Sequence, residues 1–467
     1  MNTNHQEHTP GASPVRSRRW WVVPVFLILL ALSMGAVHLR FAQLANRAVE
    51  SLRMEGFPVN AIELDKWYEV VPENDNAALR VIAAGSWMSR PEGWDAAFPR
   101  ISLVNFRKEL SAEQRSLLEQ FLASNQEALG EVRAAASMER SRYPINLKEG
   151  YNALLPDLSQ VKRLAQDQGE LARYYADEGR PADAVQCLRE IHGLARTLKD
   201  EPVLISQLVR IACHAIGHRV LERVLNSCQL SEPQLEELEM LLLRAEKENV
   251  TGVKRGLHGE LAMGLDLFRR SFRVQAGLAG VPANGLGGSP VTWVLLGLRK
   301  ALGLDGVDQA FLVRHMQKAI AVCDLPFPEQ LEQWKRIDAA LMTQLKDGRR
   351  LFYTVSSMVV PALGKAGERT ADCTAQLRVA RCAVAIERFR LAHQGRLPAN
   401  LEELVPELDP AVLRDPCTGL SLVYKQDGGG YQLYSLGLDA RADEKDATGS
   451  LSMRVERGFE NGSRPEK

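Results

Sequence analysis

The chain has 467 residues, 45% apolar and 25% charged, the balance of a folding protein too long for one ordinary core. Lys plus Arg equals Asp plus Glu at 58 each, and no basic stripe interleaves with aromatic residues, so nothing in the charge pattern points to nucleic acid. Seven scattered cysteines without a CxxC pair speak against a zinc ribbon or a dense disulfide framework and read mostly as small buried apolar side chains.

Residues 20 to 37, WWVVPVFLILLALSMGAV, form eighteen consecutive positions without a charge. As a helix rising about 1.5 Å per residue they match roughly 30 Å of hydrocarbon. Trp20 and Trp21 stand where an aromatic belt would, and Arg16, Arg18 and Arg19 crowd the preceding tail, so residues 1–19 are expected to stay cytoplasmic. The remaining 430 residues are then expected on the periplasmic side of an inner membrane, held by a single pass. A cleaved signal peptide is the alternative, with Ala31, Ser33 and Gly35 offering a peptidase site. The length of the run, and Met34 ahead of a cut after Ala36, favour an uncleaved anchor.

From 38 to 276 the apolar period is helical. Ser111 and Gln114 form a capping box that opens a helix expected to reach about Met138. Another helix from about Leu158 stops at Gly179, and Arg180 and Pro181 start the next, a tight helical hairpin. Helices are predicted at 202–228 and 232–248, the second capped by Ser231. The hairpin LARYYADEGRPADAVQCLREI resembles one tetratricopeptide repeat, with Leu171, Ala172, Tyr175, Gly179, Ala184 and Leu188 at the packing positions. Its neighbours keep the rhythm without the signature, which leaves an irregular helical-hairpin array and an ordinary α-bundle both open.

GLAGVPANGLGGSP marks a flexible loop at 277–292. A second helical block is expected over 293–366, opening with TWVLLGLRKALGL, too short and too charged at Arg299 and Lys300 to span a bilayer. A core helix is the favoured reading of that segment, and an interfacial helix the other.

Candidate chemistry is sparse. His214 and His218 lie four apart on a predicted helix and could share a metal with Cys213 or His192, although no HExxH glutamate accompanies them; polar tips at a helix interface are the favoured reading. His258 with Glu260, and the run Glu73, Asn74, Asp75, Asn76 beside Trp67 and Tyr68, could line a cleft, the latter doubling as an N-cap constellation. There is no GxSxG elbow, phosphate loop, dinucleotide GxGxxG or EF-hand loop.

The last stretch changes character. A helix from about Arg369 to Gln394, a short helix after Asn400, and a hairpin around Gly428 to Gly430 make an α+β unit over 367–446, followed by a tail over 447–467 expected to be disordered. RFRLAHQGRLPANLEEL, Asp415 and Pro416 followed by Gly419, the strands LVY and YQLYSLG, and Asp439 together resemble the globular part of the type II secretion major pseudopilin. That resemblance implies a calcium loop after the YSLG strand, and by position Ser435, Asp439, Asp443 and Asp446, with the Leu436 carbonyl, would be its ligands. Calcium is the only cofactor so implied. Arg441 and Lys445 interrupt those acids, and the membrane segment lies more than 300 residues upstream, so the chain is not itself a pilin. Taken whole, the anchor, the WYEVVPENDNAA segment, the helical middle and this end resemble a group of single-pass bacterial membrane proteins, a likeness that implies no reaction. The expected fold is mainly α, with an N-terminal transmembrane helix, a helical-hairpin array and a small pseudopilin-like α+β unit. The expected function is an exported, membrane-anchored scaffold that binds an envelope or secretion protein; the alternative is an exported hydrolase or metal-dependent enzyme with a cleft in the helical block.

Overall fold

A computed structural model describes residues 21–99, 109–269, 297–344, 352–359, 361–405, 408–438 and 451–456. The fold is mainly α. Helix α1 (Val22–Met54) is unbroken for 33 residues, and its apolar first half is exposed on all sides. Among the described residues it alone is long and apolar enough to cross a membrane. Its second half turns amphipathic, with Ala45, Val49 and Leu52 buried on one stripe, so a single helix joins the apolar segment to the core.

The next helices follow their local signals. Asn60 caps α2 (Ala61–Trp67) by accepting the Glu63 amide at 2.9 Å. Asn76 caps α3 (Ala77–Trp87) through Ala78 and also bonds Arg142 of a distant strand-like segment, so the ENDN run is a cap and turn, as its spacing suggested. After α4 (Trp94–Ala97), the Ser111–Gln114 capping box opens α5 (Ala112–Ser124). The single helix expected to Met138 breaks at Asn125, and α6 (Gln126–Ser137) starts afresh. Asn125 accepts the Ser89 amide and donates to the Ser89 and Phe121 carbonyls, at 2.7 to 2.8 Å, and that tertiary demand outweighs the helical period.

The predicted hairpin forms from α7 (Asp157–Asp177) and α8 (Pro181–Arg196), with Gly179 at φ 66° between them and Pro181 in the first turn of α8. Helix α9 (Leu204–Ser227) packs on both, and α10 (Glu232–Leu267) runs 19 residues past the predicted end at 248, crossing α9 and α8. Then come α11 (Leu304–Val322), α12 (Glu329–Gln344), α13 (Ser356–Val359) and α14 (Pro361–Ala392). Helix α14 lies against α10 and α9, and the predicted boundary at 366/367 falls inside it. One apolar core runs from Val49 to Val455, so the C-terminal unit shares its core with the helical block rather than standing apart. The predicted loop at 277–292 lies outside the described residues.

The C-terminal sheet has three antiparallel strands in the order β1 (Val423–Asp427), β2 (Gly430–Tyr434), β3 (Ser452–Val455). The β1–β2 hairpin was legible; β3 corrects the expectation of a disordered tail from 447. Met453 and Val455 are fully buried, and β3 is tied to α9: Asn226 donates to the Arg454 carbonyl at 2.7 Å, and Glu222 accepts the Arg454 amide at 2.8 Å. Four residues pairing with β2 and docking on a helix need no long apolar signal of their own.

Only residues 297–304 of TWVLLGLRKALGL are described: 297–301 are helical, with Leu298 49% exposed, Arg299 buried at 4% and Leu304 buried, so hydropathy order is reversed at the Leu298–Arg299 pair. Arg299 turns inward because Asp305 and Asp308 hold it at 2.6 and 2.7 Å, and Asp308 also accepts the Val355 and Ser356 amides.

Candidate binding cleft

Three segments meet at an open cleft of about 450 Å³: the α1–α2 junction with Phe57 together with Trp67 at the end of α2, the α8–α9 connection with Lys199 and Asp200, and the middle of α10 from Glu248 to His258. The close meeting depends on glycines of α10. A Cβ at Gly259 would collide with the Pro202 carbonyl, and one at Gly256 would sit 3.1 Å from Leu204 Cα. At Gly252 it would reach within 2.5 Å of Arg210 Nη2. With no side chains there, the 199–204 backbone lies directly on α10. Fully buried Arg210 reinforces the contact by donating to the Glu248 and Asn249 carbonyls at 2.9 and 2.8 Å.

His258 stacks on Phe57 with 3.7 Å between ring centres and meets the edge of Trp67 at 5.9 Å. Arg255 lies 4.2 Å over the Trp67 ring and is held there by the Asp200 carbonyl at 2.6 Å. Burial, reinforced by Lys254 and Arg255, pushes the His258 imidazole down to about 4, so it is neutral at pH 7. Neither of its ring nitrogens has a hydrogen-bond partner. Thr251, the hydroxyl of the cleft, donates to the Glu248 carbonyl of its own helix at 3.0 Å. Lys254 is bound to Asp324 at 2.6 Å. The lining thus offers aromatic faces, a stacked guanidinium and ammonium groups, with no hydroxyl or thiol paired to a base.

Other residues singled out in the sequence go elsewhere. His214 bonds His192 Nδ1 to Nδ1 at 2.9 Å, whereas His218 reaches the Ser452 carbonyl at 3.2 Å, so the two imidazoles serve different helix and sheet contacts. Among the described residues no group of three or more His, Cys, Asp or Glu side chains is arranged to hold a metal ion. Glu260 accepts the Leu204 amide at 3.3 Å behind the cleft. Tyr68 faces inward, its hydroxyl accepting the Tyr143 amide at 3.1 Å. Ser435 Oγ accepts the Gly437 amide at 3.0 Å, and the Leu436 amide donates to Asp415 at 2.8 Å, so Asp415 links the DP turn to the end of β2. Asp439, Asp443 and Asp446 lie outside the described residues, as do Arg16, Arg18, Arg19 and Trp20; Trp21 is exposed at the start of α1.

Sequence reading found His258 and Trp67 but not Phe57, Lys199, Asp200 or Arg255. The usable signal was Gly252, Gly256 and Gly259, spaced four and three apart on one helix face. No protein-family model matches the chain, and neither curated proteins nor solved structures give a match. The pseudopilin and tetratricopeptide likenesses therefore rest on the residues quoted for them alone.

Proposed function

We propose that the chain is a membrane-anchored binding protein whose helical body, exported to the periplasmic side of an inner membrane, holds an envelope or secretion protein at the Trp67–His258 cleft. The observation that carries this reading is the cleft's lining: stacked aromatic rings and a guanidinium fixed over Trp67 suit recognition of a partner's side chains. Export is supported by the arginine cluster ahead of the apolar segment, and the secretion link by the pseudopilin-like residues at the C-terminal end. The hydrolase alternative gains no nucleophile and base pairing from this lining.

The test is site-specific photocrosslinking in native membranes with the probe at Thr251. A discrete protein adduct that disappears in Arg255→Glu and in Trp67→Ala, while both variants keep wild-type abundance and α-helical content, is expected. No adduct, or an adduct indifferent to both substitutions, overturns the reading.

A further inference from the structure

Helix α1 supplies a ruler for the position of the folded body. Eighteen apolar residues rise about 27 Å, close to the roughly 30 Å of hydrocarbon in a bilayer, which puts His38 at the hydrocarbon edge. The headgroup layer adds roughly 5–7 Å on that side, about four more residues. The body makes contact within that interval. Gly303, at φ 69° before α11, packs so closely that a Cβ would sit 2.7 Å from His38 Nδ1. One turn on, a Cβ at Gly306 would lie 2.5 Å from the Phe41 carbonyl oxygen. Because α1 continues without a break into the buried stripe of Ala45, Val49 and Leu52, no hinge separates the apolar segment from this contact.

The surface at this level has the chemistry of a lipid interface. Leu298 and Leu39 are 49% and 64% exposed, and Arg40 and Lys300 are exposed without an acidic partner among the described residues. Arg299, the remaining cation of the short helical segment 297–301, is turned inward and neutralised by Asp305 and Asp308. Apolar side chains and cations together at headgroup depth fit lipid phosphates and the upper acyl chains.

We propose that the 297–302 segment and the start of α11, with Leu39 and Arg40 of α1, form a bilayer-docking surface that seats the folded body on the same membrane that α1 crosses. This inference rests on α1 being a retained anchor. Leu298 enters the acyl boundary, Lys300 and Arg40 meet lipid phosphates, and the body is held at a fixed height rather than on a tether.

The experiment uses the full chain reconstituted in vesicles of phosphatidylcholine and phosphatidylglycerol, with an environment-sensitive fluorophore on Leu29→Cys, Leu298→Cys, Lys300→Cys or Met54→Cys. The unsubstituted protein, whose native cysteines are buried except half-buried Cys417, gives the labelling background. Met54 lies sixteen residues beyond His38 on the same helix, about 24 Å further from the bilayer. Lipids carrying a nitroxide at the headgroup should quench the labels at 298 and 300 several-fold more than the label at 54, and lipids with a nitroxide deep in the chain should quench the label at 29. In the charge arm, Arg40→Glu with Lys300→Glu should lower the docked-to-undocked ratio roughly fivefold per cation lost at an anionic surface, and so weaken headgroup quenching at 298. Labels at 298 and 300 as unquenched as that at 54, with 29 quenched, overturn the docking surface and leave the anchor standing. A label at 29 that is also unquenched overturns both. Quenching at 298 unchanged by the double charge reversal overturns the part given to the two cations.

Discussion

Replacing His192 with asparagine should change how stability depends on pH in a way the buried histidine pair dictates. His192 is buried between α8 and α9, bonded to His214, and burial with the neighbouring His218 pushes it from 6.5 down to about 4. In the unfolded chain the same ring takes up a proton near pH 6.5, so between these values the unfolded state binds more protons and stability falls as pH falls. Each pH unit in that window costs ~1.4 kcal/mol, so lowering pH from 6.5 to about 5 removes ~2 kcal/mol through this one group. Burial of Glu170 and Glu201, each pushed up to about 7, works with the opposite sign: they are protonated in the fold and favour it as pH falls from 7 towards 4.5. The wild-type profile sums such opposing contributions, so the difference between variants is what isolates the histidine.

His192→Asn keeps a group able to bond His214 but does not titrate. It should be less stable than wild type at pH 7.5, because a packed ring beside Gly217 is lost, and that deficit should shrink by ~2 kcal/mol at pH about 5, or roughly 2 °C in the unfolding midpoint of so long a chain. The assay is thermal unfolding of the full chain in detergent at both pH values, followed by circular dichroism. Parallel profiles for wild type and variant would refute the claim that His192 is held neutral by burial.

Gly259→Val should lower the unfolding midpoint by the equivalent of ~1–3 kcal/mol or more, since the added atoms meet the Pro202 carbonyl, and should reduce the Thr251 photocrosslink by moving the 199–204 segment off α10. Asp308→Ala leaves buried Arg299 with Asp305 alone and the Val355 and Ser356 amides without their acceptor; a loss of ~3–5 kcal/mol is expected, and hydrogen exchange at Val355 and Ser356 should rise first. Met453→Ala empties a fully buried position of β3 and should cost ~2–5 kcal/mol in the same unfolding assay, whereas a dispensable tail would show no change. For the calcium loop that the pseudopilin resemblance implies, calorimetry on the full chain should give binding heat that Asp439→Asn abolishes; no heat in the wild type would dismiss it.

What the sequence made legible was whatever depends on residues a few positions apart. The Ser111–Gln114 box, the Gly179–Pro181 turn and the β1–β2 hairpin are each closed by contacts within one local segment, and each formed as read. The failures have long-range causes. Asn125 interrupts a good helical period because Ser89, 36 residues earlier, takes its side chain. Strand β3 exists because β2 and α9 present groups to a short segment. The cleft combines residues from 57 to 258, and no spacing rule reaches that far.

The Leu298–Arg299 pair shows how such long-range demands bear on function. Hydropathy alone buries Leu298 and exposes Arg299, yet two acids of α11 reverse the order. A charged side chain turned inward needs fixed partners, and Asp308, itself bound to Val355 and Ser356, supplies them at a cost the core must offset. Leu298, 49% exposed, keeps about half of its apolar surface open among the described residues. The reversal is unfavourable for a body surrounded by water and reasonable for one whose 297–302 segment faces lipid, because the membrane then takes up Leu298 while Asp305 and Asp308 keep one cation out of the interface. On that argument Arg299→Leu should leave headgroup quenching at Leu298 in place while lowering stability, because Asp308 keeps its amide donors but loses its counter-charge. Quenching that vanishes with Arg299 would instead make the ion pair, and not the packing of Gly303 and Gly306 on α1, the feature that sets the body's height.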